Sequence, residues 1–213
     1  MKKPALEPAA LPPLVLTSDR LRLAERHLSQ ADRVMAKLVR THGNCRLAAR
    51  KNQPFHALTS AIISQQLSAK AAATIAARVA QLAPRPFTAE AMLSVAAENL
   101  RAAGLSSAKT RYIHELARRV VDDDLDFGRI RKLGDEAAIA ALTEVPGIGR
   151  WTAEMFLIFT LRRPDILSLG DAGLARSVRL LYGEMAEMQR VAERWRPYRS
   201  VACWYLWRHL DND

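Results

Sequence analysis

Cysteine is scarce, with two residues, Cys45 and Cys203, in a chain of 213. Two thiols are too few for an iron–sulfur cluster or a structural zinc site of the usual thiolate kind, and they read as small buried apolar residues. The five histidines include no pair at metal-ligand spacing such as H-x-x-x-H. A G-x-S-x-G elbow and a glycine-rich phosphate loop are also absent, which leaves hydrolase readings built on that elbow, and kinase and dehydrogenase readings, without support. No apolar run is long enough to span a bilayer, because the longest, near the C-terminus, is broken by Arg208 and His209. Residues 1–16 carry two lysines, several prolines and Glu7, without the unbroken apolar core of a signal peptide. They read as a flexible arm on a cytoplasmic protein. Asp122, Asp124 and Asp126 have the start of a calcium-loop spacing, but Phe127 and Leu133 stand where such a loop needs Gly and Glu. An exposed acidic helix end fits those aspartates better.

Period-two alternation and hairpin-turn dipeptides are missing too, and helical periodicity fills the space. Ser29 is a cap candidate for a helix with Val34, Met35, Leu38 and Val39 on its apolar face, closed by His42-Gly43. Asn52 and Pro54 open a helix carrying Phe55, Leu58, Ile62 and Ile63. Further starts fall at Ser68, Thr88, Ser106 or Ser107, and Asp135. Helices are also predicted from Arg150 to about Phe159, after Asp171, and from Tyr198 to His209. The fold class is all-α.

What the chain has in excess is positive charge, a net +10. A polyanion is the partner this favours. The segment Leu142-Thr143-Glu144-Val145-Pro146-Gly147-Ile148-Gly149-Arg150-Trp151-Thr152-Ala153 gives that charge a place to act. Two glycines one residue apart let the backbone turn sharply and approach another surface. The amides of Gly147, Gly149 and the next helix's first turn are then free for an anion, with Arg150 beside them. Such a turn can hold a DNA phosphate without reading sequence.

These residues resemble the helix-hairpin-helix DNA glycosylase superfamily, and within it the type II 3-methyladenine glycosylases in a compact form. Three blocks carry the resemblance over about residues 50–210: Phe55-His56-Ala57-Leu58 through Ile62-Ile63-Ser64-Gln65-Gln66-Leu67-Ser68, the hairpin with Arg150-Trp151-Thr152-Ala153, and Arg196-Pro197-Tyr198-Arg199-Ser200 through Trp204-Tyr205-Leu206-Trp207. The resemblance implies a two-lobed helix-hairpin-helix fold with the active-site cleft between the lobes. One lobe is expected from 17–52 plus 166–213 and the other from 53–165, with the helix-hairpin-helix at 142–159.

It also implies chemistry. The catalytic carboxylate matches Asp171, in Leu169-Gly170-Asp171-Ala172-Gly173-Leu174. By its own position Asp171 caps a helix, where the dipole favours the ionised form that an oxocarbenium-like sugar requires. Asp165 is the nearest competing carboxylate and reads as a turn residue. Trp151, Trp207, Met155 and Gln65 match the base pocket, with Met155 where relatives often have tyrosine. Trp151 and Trp207 equally suit plain core packing. Gln66 matches the residue that fills the duplex when a base is flipped, although Gln65 and Gln66 could simply bond the last carbonyls of their helix. Ser68, Lys70, Gly147, Gly149 and Arg150 match DNA contacts. The backbone carbonyls of Thr143, Val145 and Ile148 match a site for a monovalent cation. The expectation is a monomeric, monofunctional enzyme that excises alkylated purines from double-stranded DNA with no required cofactor, no iron–sulfur cluster and no membrane. A glycosylase/lyase of the endonuclease III type and a non-enzymatic DNA-binding module are the alternatives. The lyase branch places a nucleophilic lysine where this chain has Trp151.

Overall fold

The computed structural model describes residues 14–49 and 53–211, and every regular element among them is helical. In chain order these are α1 (Ser18–Ala31), α2 (Arg33–His42), α3 (Pro54–Ser64), α4 (Ala69–Leu82), α5 (Ala89–Leu93), α6 (Ala97–Ala102) and α7 (Ser107–Val121). There follow α8 (Phe127–Ile130), α9 (Asp135–Thr143), α10 (Arg150–Phe159), α11 (Ala172–Tyr182), α12 (Met188–Ala192), a 3-10 turn (Glu193–Trp195) and α13 (Arg199–Leu210). None of these helices is long and apolar enough to cross a membrane.

Side-chain caps set most of the helix starts. Thr17, Asp32, Ser68, Thr88, Ser106, Asp126 and Asp171 each accept a hydrogen bond from an amide in the first turn that follows. Helix α1 has no counterpart in the sequence reading. Its stripe of Leu21, Ala24 and Leu28 is narrow, shares the buried face with Glu25 and lies in a segment that is polar on the whole. Ser29, expected as a cap, lies inside α1, and Asp32 caps α2 instead, its Oδ1 accepting from the amides of Val34 (2.8 Å) and Met35 (3.3 Å). Gln53 precedes α3, and Asn52, expected to open it, lies outside the described residues. Gly134 rather than Asp135 is the cap of α9. Leu16, expected as the end of a flexible arm, is fully buried, and its amide donates to the Arg162 carbonyl at 2.8 Å. Apolar burial at that point outweighs the proline-rich sequence before it. Residues 1–13 of the expected arm lie outside the described residues.

The principal packing falls into two groups. Helices α1 and α2 pack on each other and on α13, which also carries α11. Helix α7 collects α3, α5 and α6, while α10 lies against α9 and α3. Leu58, Ile62, Ile113, Leu116 and Leu142 are fully buried at the helix contacts of the second group. Each such side chain contributes roughly 1.5–3 kcal/mol of transfer free energy.

One connection decides where the site lies, the stretch 160–171 between α10 and α11. It has no regular structure of its own and is tied down by side chains. Arg163, only 2% exposed, donates to Asp135 Oδ1 (2.6 Å) and to the carbonyls of Ile130 (3.0 Å) and Leu133 (2.8 Å). Asp165, read in sequence as a turn residue, accepts from Arg196 (2.9 Å) and from Arg199 Nε (2.8 Å). The Ile166 amide donates to Ser200 Oγ at 2.9 Å. Arg163→Met should therefore lower stability by about 2–3 kcal/mol, since the Ile130 and Leu133 carbonyls each lose a charged donor and the Asp135 pair is lost. Urea unfolding measures this as a fall in midpoint at constant slope.

Candidate active site

Asp171 closes the 160–171 connection as the cap of α11, and it is 8% exposed. Its two oxygens are held from three elements. Oδ1 accepts from the Leu174 amide (2.8 Å) and from Trp207 Nε1 on α13 (3.2 Å). Oδ2 accepts from Trp151 Nε1, at the start of α10, at 2.7 Å. Both tryptophans thus present an indole N–H edge to the carboxylate, which the expectation of two pocket walls did not include. Trp207 packs its ring on Phe159 with centroids 5.6 Å apart. Trp151 is 51% exposed, so its faces remain open. Gly173 makes room for this arrangement. A Cβ there would lie 3.1 Å from Asp171 Oδ1 and 3.7 Å from Trp207 Cδ1.

Two grooves flank the carboxylate's supports. The first, of about 470 Å³, runs between α3, α4 and α10 and is lined by His56, Ser60, Ser64, Met155 and Phe159 among others. Met155 and Phe159 follow Trp151 at four-residue spacing, hence on one face of α10. The second, of about 810 Å³, lies over the hairpin and includes Gln65, Gln66, Lys109, Tyr112 and Trp151.

Gln65, expected beside Met155, faces the second groove instead. As the residue after α3 it turns the chain, and its Nε2 donates to the Gly147 carbonyl at 2.8 Å. The end of α3 is completed by Lys109, whose Nζ donates to the carbonyls of Ile63 (2.8 Å) and Gln65 (2.6 Å). Burial holds that ammonium below its ordinary pKa. Gln66 is exposed and left-handed at φ 56°, so it stands at the apex of the turn between α3 and α4. Ser68 and Lys70 are exposed at the start of α4, and Ser68 Oγ caps the Ala71 amide at 3.3 Å.

In the hairpin, Leu142, Val145 and Ile148 anchor the turn in the core. Gly147 has φ 87°, and a Cβ there would meet the Tyr112 ring at 2.4 Å. Gly149 has an ordinary backbone and nothing within 4 Å of a Cβ position, so no packing within the protein requires a glycine there. The amides of Gly147, Gly149, Arg150 and Trp151 have no backbone acceptor among the described residues. Arg150, expected to add positive charge beside these amides, is paired. Its guanidinium makes two hydrogen bonds to Glu136 (2.9 and 2.7 Å) and one to Glu154 Oε1 (2.9 Å), so two carboxylates offset its charge. The same contact, chiefly through its hydrogen bonds, holds Glu136 below the usual carboxylate range. The Val145 carbonyl accepts from the Ile148 amide at 3.0 Å, whereas those of Thr143 and Ile148 take no backbone donor among the described residues. Such an oxygen-only set fits a hard monovalent cation.

Sequence reasoning missed Lys109, Tyr112, Glu154 and Gly173. Two of them carried a signal. Lys109 is a cation in the first turn of a helix, against the dipole, and Glu154 is the lone acid in the otherwise apolar stretch Trp151–Phe159.

A family model described as HhH-GPD superfamily base excision DNA repair protein matches residues 59–199. An alkylbase DNA glycosidase-like protein of Schizosaccharomyces pombe is 30% identical over 198 residues, covering 87% of this chain and 92% of that protein. Among solved structures, a DNA-3-methyladenine glycosidase from Bacillus halodurans superposes with a TM-score of 0.76 at 38% identity, over 85% of this chain and 86% of that one. A 3-methyladenine DNA glycosylase of Schizosaccharomyces pombe, in complex with abasic DNA, superposes with a TM-score of 0.72 at 32% identity, over 87% and 95%.

The two hairpin glycines should separate in stability measurements. Gly147→Ala forces a left-handed alanine into the Tyr112 ring and should cost about 2–3 kcal/mol. Gly149→Ala meets no neighbour and should cost less than about 1 kcal/mol, the penalty of a poorer helix cap. Thermal unfolding of the two variants side by side checks the order.

Proposed function

The chain belongs to the HhH-GPD superfamily of base excision DNA repair proteins, and we propose that within it the protein is a monofunctional glycosylase that hydrolyses the N-glycosidic bond of alkylated purines in double-stranded DNA. The observation that carries this reading is the Asp171 carboxylate, fixed by Trp151, Trp207 and the Leu174 amide. A 3-methyladenine or 7-methylguanine is cationic and leaves readily as a neutral base. The bond that breaks joins C1′ of the sugar to the purine nitrogen. Positive charge develops on the sugar, and the fixed carboxylate stabilises it. Water, oriented by Asp171, then adds to C1′ and releases its proton to solvent. Trp151 stands where the lyase branch has its nucleophilic lysine, so the product is an abasic site rather than a cut strand.

The flipped purine lies along the α10 face of Trp151, Met155 and Phe159, where an exposed indole suits a cation. The two lobes are 17–52 plus 166–213 and 53–165, and they meet at Asp171, which takes an indole N–H from each. Gln66, at the apex of its turn, fills the space left in the duplex. The amides of Gly147, Gly149 and the first turn of α10 hold phosphate, and Ser68 and Lys70 hold it from α4. Gln65 acts by supporting the hairpin. The carbonyls of Thr143, Val145 and Ile148 would hold a monovalent cation, which would supply positive charge at the hairpin. Chemistry needs no other cofactor, and one chain suffices.

Asp171→Asn keeps the cap and two of the three contacts but removes the charge. It should bind a lesion duplex within about threefold of wild type and lose at least about a hundredfold in base release, an effect of the size seen on removing one transition-state stabiliser. Free purine released from methylated DNA is the measurement, and a variant with wild-type release would overturn the assignment. Affinity for undamaged duplex should fall with salt at a log–log slope of about −0.9 per phosphate held, and Lys70→Ala should make that slope shallower by about 0.9. A Lys70→Ala slope equal to that of wild type would place α4 away from the DNA.

A further inference from the structure

Glu154 is 4% exposed in the middle of α10, where an isolated carboxylate is costly. Its two oxygens serve two different parts of the chain. Oε1 accepts from Arg150 Nε at 2.9 Å. Oε2 accepts from Ser168 Oγ at 2.5 Å, the length of a charge-assisted bond, and Ser168 is fully buried. The Ser168 carbonyl in turn accepts from the Asp171 amide at 3.2 Å, closing the turn that presents Asp171. The outer side of that turn has little to hold it, since Leu169 is 50% exposed and nothing lies within 4 Å of a Cβ on Gly170. Upstream, the next anchor is the Ile166 amide on Ser200. An apolar side chain would fill the Glu154 position without any desolvation cost. Only a group with two acceptor atoms can join the first residue of α10 to the turn before α11.

We propose that Glu154 is a positioning residue for the reaction, setting the place of Asp171 through the Ser168 hydroxyl. It touches neither the sugar nor the base. Its effect is to hold the Ser168–Asp171 turn against α10, so that the carboxylate meets C1′ at the distance the two indole N–H groups also define. A displacement of about 1 Å at a reacting group can cost on the order of a hundredfold in rate. The chain Glu136–Arg150–Glu154–Ser168 also passes through Arg150, the first residue of the helix terminus that the hairpin presents. Because the inference rests on Asp171 being the reacting carboxylate, the experiment must separate the two claims.

The experiment measures single-turnover release of 7-methylguanine at saturating enzyme, alongside affinity for an abasic-site duplex and the melting temperature. Ser168→Ala removes the link alone and should slow release by about ten- to a hundredfold, with affinity within about twofold of wild type. In Glu154→Gln the amide oxygen still accepts the Ser168 hydroxyl while its NH2 gives up the Arg150 contact, so the Ser168 link to α10 survives and release should stay within about threefold. A purely structural role predicts the reverse, with losses in all variants that follow melting temperature. Wild-type release by Ser168→Ala overturns the proposal. So does Glu154→Gln falling as far as Ser168→Ala, or affinity falling by the same factor as rate. If Ser168→Ala does not fold, Ser168→Cys keeps the volume and weakens the donor, and a rate loss smaller than tenfold but above twofold is then expected. Asp171→Asn is the control. If it releases base at the wild-type rate, the underlying reading fails; if it is inactive while Ser168→Ala is normal, the positioning role alone fails.

Discussion

The carboxylate of Asp171 is the point on which the two helix groups converge. Trp151, Leu174 and Trp207 donate to it from α10, α11 and α13. A charged acceptor with three N–H donors sits in a fixed orientation, because charge-assisted hydrogen bonds are short and directional. Those donors are in place only if α10 is seated on α3 and α9 while α11 is seated on α13. The geometry of one side chain therefore summarises the packing of most of the molecule.

The connection from 160 to 171 transmits that packing. It crosses from one helix group to the other without regular structure, so its backbone position has to come from side-chain bonds. Arg163 fixes its start to α8 and α9, Asp165 and Ile166 fix its middle to α13, and Ser168 fixes its end to α10. Bonds of this kind contribute about 1 kcal/mol each to stability. Their larger consequence is placement, since each removes a direction in which Asp171 could drift.

The hairpin obeys a different logic. Its inner side is dictated by the protein: Val145 and Ile148 are buried, and Gly147 must be glycine because of its backbone angle and the Tyr112 ring. Its outer side answers to no internal neighbour, as the open space at Gly149 attests, together with the amides of Gly147, Gly149, Arg150 and Trp151, which have no backbone acceptor among the described residues. A surface whose residue choice is unexplained from inside is explained by what approaches from outside. The occupant proposed for it is DNA phosphate, and the family to which the chain belongs is one of DNA repair proteins.

Helix content, the hairpin and the capping position of Asp171 were legible in the residues themselves. Each rests on interactions within three or four positions: a cap on the amide three residues on, an apolar stripe, a glycine where the backbone turns. Local rules failed where the stripe was narrow, as in α1, or where the competing cap was a few residues away, as with Ser29 against Asp32. They could not choose the partner of any long side chain. Gln65 and Arg150 were placed at the site by matching positions, yet Gln65 turns to Gly147, 82 residues on, and Arg150 to Glu136, 14 residues back. Lys109 completes a helix 44 residues earlier in the chain. The indole donors of Asp171 lie 20 and 36 residues from it. Sequence by itself determined the elements, their ends and the carboxylate at a helix start, because those depend on neighbours along the chain. Which N–H groups meet that carboxylate, and which acid holds its turn, was decided by helix packing, because a flexible side chain takes whichever partner the assembled fold brings within 3 Å.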